Sequence, residues 1–138
     1  TNCIVRNTDI SGIVGTSKAV TGINGNYQNN GTTKGCVVES TTIKGAKVQR
    51  ISAINPATVS SNPGAPLADN WTYNVTLLDG NNEDISSSAI DDVAGLDGGT
   101  VSQAQMTQSW YQSIGFDMNV WEWKDGKLTL KNVGYKRK

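Results

Sequence analysis

The sequence contains no histidine, and its formal net charge is zero at pH 7. Without histidine, the chain has neither a Ser-His-Asp nor a Cys-His nucleophile system, and it has no histidine-dependent metal site. A neutral chain is poorly suited to nucleic acid, because binding to phosphates requires a basic surface. There is no glycine motif of the P-loop or dinucleotide-binding type. We therefore expect no cofactor and no nucleic-acid partner.

Cysteine and long apolar runs are scarce as well. The two cysteines, Cys3 and Cys36, are too few for a disulfide framework or a zinc site. No apolar run approaches the roughly 18–20 residues that a membrane span requires. Abundant Gly, Ser, Thr and Asn favour turns and short strands over long helices. This composition predicts one domain of the all-β class, residues 1–138.

The most informative feature is a segment that occurs twice. Residues 2–12 read NCIVRNTDISG and residues 35–45 read GCVVESTTIKG, 33 positions further on. Self-similarity at a fixed spacing indicates stacked units. Stacking in register would also place Arg6 over Glu39. The paired positions of this structural repeat are Cys3 with Cys36, Val5 with Val38, Ile10 with Ile43, and Gly12 with Gly45.

The repeat predicts a short parallel β-helix, or β-solenoid, whose layers occupy residues 1–61. The alternative is a β-sandwich in which two similar strands recur by chance. A disulfide between Cys3 and Cys36 fits neighbouring layers, but a ladder of buried small side chains is the favoured interpretation. A fainter echo aligns KAVTGIN (18–24) with QRISAIN (49–55), opposing Val20 to Ile51. Another aligns GTTKGC (31–36) with ATVSSN (57–62).

Residues 62–100 are expected to form an irregular strand and loops. Three prolines at 56, 63 and 66 indicate a departure from the regular stack. The segment WTYNVTLL (71–78) alternates, which predicts a half-buried strand. Its predicted faces carry Trp71, Tyr73, Val75 and Leu77 on one side and Thr72, Asn74 and Thr76 on the other.

Residues 101–138 are predicted to form a helix and a β-hairpin that cap the stack. Ser102 with Gln105 is a capping-box pattern, which predicts a helix start at Ser102. Its apolar stripe would be Met106, Trp110 and Ile114, ending at Gly115. The sequence VWEWKDGKLTL predicts a two-residue hairpin turn that pairs Trp123 with Leu128 and Trp121 with Leu130. The predicted cap residues are Trp110, Phe116, Trp121 and Trp123.

Residues 22–45, GINGNYQNNGTTKGCVVESTTIKG, resemble the GLUG motif, a glycine-rich repeat of bacterial surface proteins that also occurs in IgA-specific metalloproteases. Segments 110–121 and 125–130 resemble the region on the C-terminal side of such repeats in gut Bacteroidetes proteins. The resemblance implies a β-helix segment of an exported, adhesin-like protein, and it brings no catalytic residues with it. The matching residues are Gly22, Ile23, Gly25, Asn30, Gly31, Thr32 and Cys36, whereas Thr33, Gly35 and Val37 depart from the pattern.

Acidic residues are the remaining candidates for chemistry, since β-helix enzymes that act on polysaccharides can work without histidine. Runs of acid in a Ser-rich stretch are usually solvated, so no catalytic residue is predicted. A faint calcium-loop pattern overlaps this stretch, but Asp84 stands where such a loop needs glycine, and Ile90 where it needs glutamate. The catalytic candidates considered are Glu83, Asp84, Asp91 and Asp92, and the calcium candidates are Asp79, Asn81 and Glu83.

Aromatic side chains can also stack on sugars, and Trp71 and Tyr73 are weak candidates for such a platform. The first hypothesis is a non-enzymatic structural or adhesin-like segment of an exported or cell-surface protein. The alternative is a carbohydrate-binding module on a β-scaffold, and a polysaccharide-cleaving fragment is a weaker third idea. The chain shows no secretion signal and begins inside a repeat copy, as expected of a mature product or an excised piece.

The predicted partners are inferred from the open edge of the first repeat copy. Its backbone is expected to pair with the remainder of a longer surface protein or with another copy. Host molecules or glycans are further candidate ligands. No membrane span is expected.

Overall fold

Strand is the dominant secondary structure, in agreement with the predicted all-β class. The computed structural model describes residues 1–12, 19–24, 32–53 and 67–132. It contains two compact units, Thr1–Val101 and Ser102–Lys138. The strands of the first unit are β1 (Ile4–Arg6), β2 (Asp9–Ser11), β3 (Val20–Thr21), β4 (Val37–Lys44), β5 (Val48–Gln49), β6 (Trp71–Leu78) and β7 (Gly99–Thr100).

The main sheet of the first unit consists of β1, β2, β4, β6 and β7, all paired in parallel. We call β1 with β2 the first row of this sheet, β4 the second row and β6 the third row. Val5 lies opposite Val38 and Ile10 opposite Ile43, so the predicted spacing of 33 positions is confirmed. Parallel pairing is not what the alternative of two hairpin strands in a β-sandwich predicts.

The third row was not expected from the sequence to continue the repeat. Strand β6 nevertheless pairs with β4 along its length, with Val38 opposite Thr72 and Ile43 opposite Leu77, 34 positions apart. The amino-acid sequences of β4 and β6 do not resemble each other, because each position of a row requires only an inward side chain of suitable size. Here threonine and leucine take the places of valine and isoleucine.

A second, two-stranded parallel sheet joins β3 to β5, and Val20 lies opposite Val48 in it. The spacing is therefore 28 positions, and the predicted match of Val20 with Ile51 is wrong. Short apolar patterns fit several registers equally well, whereas packing selects one of them. Val20 lies directly against Gly12 and Gly45, two of the repeat positions, where an added Cβ would collide with its side chain. The echo at residues 57–62 lies outside the described residues.

The predicted faces of the third row are also wrong. Thr72 and Leu77 are buried, whereas Trp71 and Tyr73 are half-buried. The cause is Asn74, whose φ of +49° is left-handed and breaks the period of two between its flanking segments. Trp71 and Tyr73 therefore lie on the face opposite Thr72, and Leu77 does not share their side.

The core of the first unit is formed mainly by its second and third rows. Cys36 is buried, but Cys3 is exposed, so the predicted ladder of buried cysteines is right for one member only. Both thiols are free, and the disulfide that the spacing allowed is not formed. The most deeply buried apolar residues of this unit are Cys36, Val37, Val38, Ile43, Ile51, Leu67 and Leu77.

The second unit contains a 3₁₀ turn (Gln103–Gln105), helix α1 (Gln108–Ser113) and strands β8 (Trp121–Lys124) and β9 (Lys127–Leu130). The predicted helix start at Ser102 is wrong. The Ser102 amide does donate to Gln105 Oε1 at 3.0 Å, but this capping box closes the 3₁₀ turn. Helix α1 begins only after Thr107, whose hydroxyl accepts from the Trp110 amide. The helix is shorter than predicted, and Tyr111, rather than Trp110, is its buried residue.

The hairpin of β8 and β9 has the predicted register, with Trp121 opposite Leu130 and Trp123 opposite Leu128. Asp125 and Gly126, at φ +51° and +74°, form the turn that the Asp-Gly pair indicates. Leu128 is fully buried, while the two tryptophans are half-buried. The aromatic rings of this unit pack edge-on or tilted against one another, in the pairs Tyr111–Phe116, Tyr111–Trp123 and Phe116–Trp121. Their role as a cap on the stack stays a prediction.

Candidate functional site

Three of the acidic residues considered for catalysis, Asp84, Asp91 and Asp92, bond to backbone amides of the first unit. Asp84 accepts hydrogen bonds from the amide and the hydroxyl of Ser86 through Oδ1, at 2.9 and 2.5 Å. These bonds favour the ionised carboxylate and lower the pKa of Asp84. Asp91 accepts from the Thr100 amide, and Asp92 from the Ala94 amide. Asp84 and Asp92 thus stabilise their own turns, whereas Asp91 bonds to strand β7. Glu83 is exposed beside Asp84.

The calcium candidates form a turn of the same kind. Asp79 Oδ1 accepts from the amides of Asn81 and Glu83, at 2.7 and 2.9 Å. One carboxylate oxygen of Asp79 is thus engaged with backbone. Within the described residues, no group of three or more His, Cys, Asp or Glu side chains is placed to hold a metal ion.

The glycan candidates Trp71 and Tyr73 lie on the outward face of the third row. Tyr73 is opposite Glu39 in the neighbouring strand, and Glu39 forms an ion pair with Arg6. The face therefore places two half-buried aromatic rings beside an ion pair, but Glu39 is itself buried and Val37, opposite Trp71, is fully buried. The ring of Trp71 extends over Gly99, where an added Cβ would lie 3.1 Å from two of its carbons. Because Gly99 has no side chain, the ring of Trp71 can lie over its backbone.

The ion pair between Arg6 and Glu39 is more enclosed than two surface charges would be. Their side chains are 22% and 11% exposed. The sequence predicted the pairing from the 33-residue register, and the structure confirms that Arg6 lies opposite Glu39. The pair joins the first and second rows on the outward face.

Asn70 is a structural residue that the sequence reading missed. Its side chain is fully buried, and its Oδ1 accepts from the Cys36 amide at 3.1 Å. Its Nδ2 donates to the Thr33 carbonyl at 2.8 Å. Both ends of the amide are therefore used to join the start of the third row to that of the second. The only signal in the sequence was Asn-Trp-Thr, a glycosylation pattern, which points to a surface rather than to a core.

Asp97 and Arg50 form a second buried connection. Asp97 accepts from the Arg50 amide at 3.0 Å and from the Ile90 amide at 3.1 Å. The Arg50 guanidinium donates to the Gly98 carbonyl at 2.9 Å. Partial burial lowers the pKa of Arg50, while Asp97 and Asp91 oppose this shift. The arrangement fastens the loop before β7 to the segment after β5.

The edge of the first row is the remaining candidate site. The described residues contain no strand that pairs with β1 or β2 on the side away from β4. The far end of the sheet differs, because the chain folds back on β6. There the Ile85 amide donates to the Leu77 carbonyl, and the Leu77 amide donates to the Ser86 hydroxyl, both at 2.9 Å.

No family model, curated protein or solved structure matches this chain. The GLUG resemblance therefore stays a hypothesis drawn from the residues themselves. Among the described helices, none is sufficiently long and apolar to cross a membrane.

Proposed function

We propose that this chain is a non-enzymatic scaffold: a short parallel β-helix segment of an exported or cell-surface protein of the GLUG-repeat type. The observation that carries the proposal is the alignment of three parallel rows at spacings of 33 and 34 positions. The second sheet supports it, because β3 and β5 alternate along the chain with the rows of the main sheet. A chain that contributes one strand to each of two parallel sheets in every repeat has the path expected of a β-helix.

The chemistry of the acidic residues supports a structural rather than a catalytic role. Asp79, Asp84 and Asp92 accept hydrogen bonds from backbone amides of their own turns, and Asp91 accepts from the Thr100 amide of β7. General acid–base catalysis by two carboxylates requires that they converge on one substrate atom or bond. Each of these carboxylates is instead engaged with a different stretch of backbone.

The surface location can be tested with antibodies raised against this chain. Intact native cells should be labelled without permeabilisation, and protease added to the medium should remove the signal. Labelling that requires permeabilisation would contradict the proposal. A cytoplasmic protein probed in the same cells provides the control.

A second candidate function is carbohydrate binding, favoured by the outward position of Trp71 and Tyr73 beside the Arg6–Glu39 pair. Aromatic faces can stack on sugar rings, and the partly exposed guanidinium of Arg6 can donate to hydroxyls. Titration of a glycan panel, followed by tryptophan fluorescence, separates the two functions. The scaffold predicts no change with any glycan. The alternative predicts a change that Tyr73→Ala abolishes and that Trp110→Phe, in the other unit, preserves.

A further inference from the structure

Equivalent residues of the first and second rows differ sharply in burial. Val38 and Ile43 are 0% exposed, whereas Val5 and Ile10, at the same positions of the first row, are only half-buried. Cys36 is 2% exposed, and its counterpart Cys3 is exposed. The second row has a neighbour on each side, and the first row has β4 alone among the described strands. Among the described residues, the first row therefore lacks the cover that a strand on its other side would provide.

The backbone of the first row has a matching asymmetry. The Cys3 carbonyl accepts from the Val37 amide at 2.8 Å, and the Asn7 amide donates to the Glu39 carbonyl at 3.2 Å. Successive residues of a strand point their backbone groups to opposite sides. Hence Val5 faces β4, and the amide and carbonyl of Ile4 point to the open side. An edge of this kind is a template for a further strand.

We propose that the open edge of β1 and β2 receives another parallel strand with the same repeat pattern. This inference rests on the proposed scaffold function and names the partner of that scaffold. The added strand would carry small or apolar residues over Cys3, Val5 and Ile10. Over Asn7 it would carry a residue that tolerates the left-handed conformation.

A second copy of this chain fits the edge less well. Two β1 edges related by a two-fold axis run antiparallel, so the left-handed Asn7 residues would no longer be aligned. At the opposite end of the sheet, β7 pairs with the start of β6 and residues 84–86 contact its end, so the described residues leave no continuous edge as long as β1 with β2 there. A strand of the type found at residues 35–45 satisfies the backbone and aligns like side chains.

The test extends the full chain at its N-terminus with a second copy of residues 1–34. The cysteine of the added copy is changed to serine, so that the original Cys3 reports on the edge through its reaction with a thiol reagent. We expect the reaction of Cys3 to slow at least tenfold. The matched control carries V5D and I10D in the added copy, and its Cys3 should react within twofold of the unextended chain.

The pH dependence of the same reaction gives a second measurement. Partial burial raises the pKa of the Cys3 thiol, and its neighbour Cys36 adds to the effect. Covering Cys3 further disfavours the thiolate, so the reaction profile should move to higher pH in the extended chain only. Ile4→Pro in the extended chain should restore fast reaction, because proline removes a donor from the open side and leaves the bonds to β4 intact.

Two results would overturn the inference. One is equal Cys3 reactivity in the extended chain and in its control. The other is sedimentation of the unextended chain as a dimer in which Cys3 is protected, since the edge would then receive a second copy. Amide exchange of the unextended chain separates failure of the inference from failure of the scaffold. If the amides of Val38 and Ile43 exchange slowly but Cys3 reactivity is unchanged by the extension, the parallel rows are present and only the added strand is rejected. If the amides of both residues exchange fast, the scaffold is rejected too.

Discussion

Ser40 and Asn74 adopt the same left-handed backbone conformation at matching points of neighbouring strands, with φ of +47° and +49°. Asn7, at the same point of the first row, has a φ of +51°. Residues other than glycine enter this region at a cost of about 1–2 kcal/mol, and asparagine tolerates it best. Because all three rows turn at one point, they remain in register on both sides of the turn.

Substitution of Ser40 tests whether this conformation limits stability. Ser40→Val should destabilise the protein by about 1–2 kcal/mol relative to Ser40→Gly, because a β-branched residue is strained at positive φ. Thr42→Val, at an extended position of the same strand, is the matched control and should change the free energy of unfolding by less than about 0.5 kcal/mol. Urea unfolding measures all three. Equal effects of Val and Gly at position 40 would contradict the assigned conformation.

Removal of the Asn70 side chain should be among the most damaging polar substitutions. Asn70→Ala leaves the Cys36 amide and the Thr33 carbonyl without their partner in a buried place. Such groups cost about 1–3 kcal/mol each, so a loss of about 2–4 kcal/mol is expected. Asn81→Ala, in an exposed turn, should cost less than about 0.5 kcal/mol. Thermal and urea unfolding check both values, and a loss below about 1 kcal/mol for Asn70→Ala would contradict the buried connection.

The Arg6–Glu39 ion pair should contribute more than an ordinary surface pair. A double-mutant cycle with Arg6→Met and Glu39→Gln should give a coupling energy of about 1 kcal/mol, because the side chains are largely enclosed. The control cycle uses Lys34→Met and Asp69→Asn, a pair at 3.8 Å whose side chains are 53% and 49% exposed. Its coupling should be about 0.3 kcal/mol or less. Similar coupling in both cycles would show that enclosure has no effect here.

The hydrogen bonds from Ser86 should be visible in the titration of Asp84. They lower the pKa of this carboxyl below its ordinary value of 3.8. The folded-state pKa is depressed, so the stabilisation is present above the unfolded pKa and is lost as the pH falls through the folded one. Ser86→Ala should raise the pKa of Asp84, and Ser87→Ala should leave it unchanged. Carboxyl-carbon NMR titration measures the shift, and an unchanged pKa in Ser86→Ala would contradict the contact.

Several features could be predicted because they depend on short stretches of chain. The repeat at residues 2–12 and 35–45 determines the pairing of Val5 with Val38 and of Arg6 with Glu39, since like side chains recur at one spacing. The Asp-Gly pair at 125–126 determines the hairpin register, because few residue pairs accept positive φ at both turn positions. Ser102 and Gln105 were correctly read as a cap, although the cap closes a 3₁₀ turn.

Other features depend on residues that meet only after the chain has folded. Val20 finds its register by packing against Gly12 and Gly45, and Asn70 finds its partners in the preceding row. Asn74 reverses the faces of the third row, and no alternation pattern can reveal a left-handed residue. Local sequence thus determined the periodicity and the turns, because both are set by neighbouring backbone angles. Tertiary packing alone decided that the third row joins the second and which face of it is buried, because burial and hydrogen bonding are shared between distant residues.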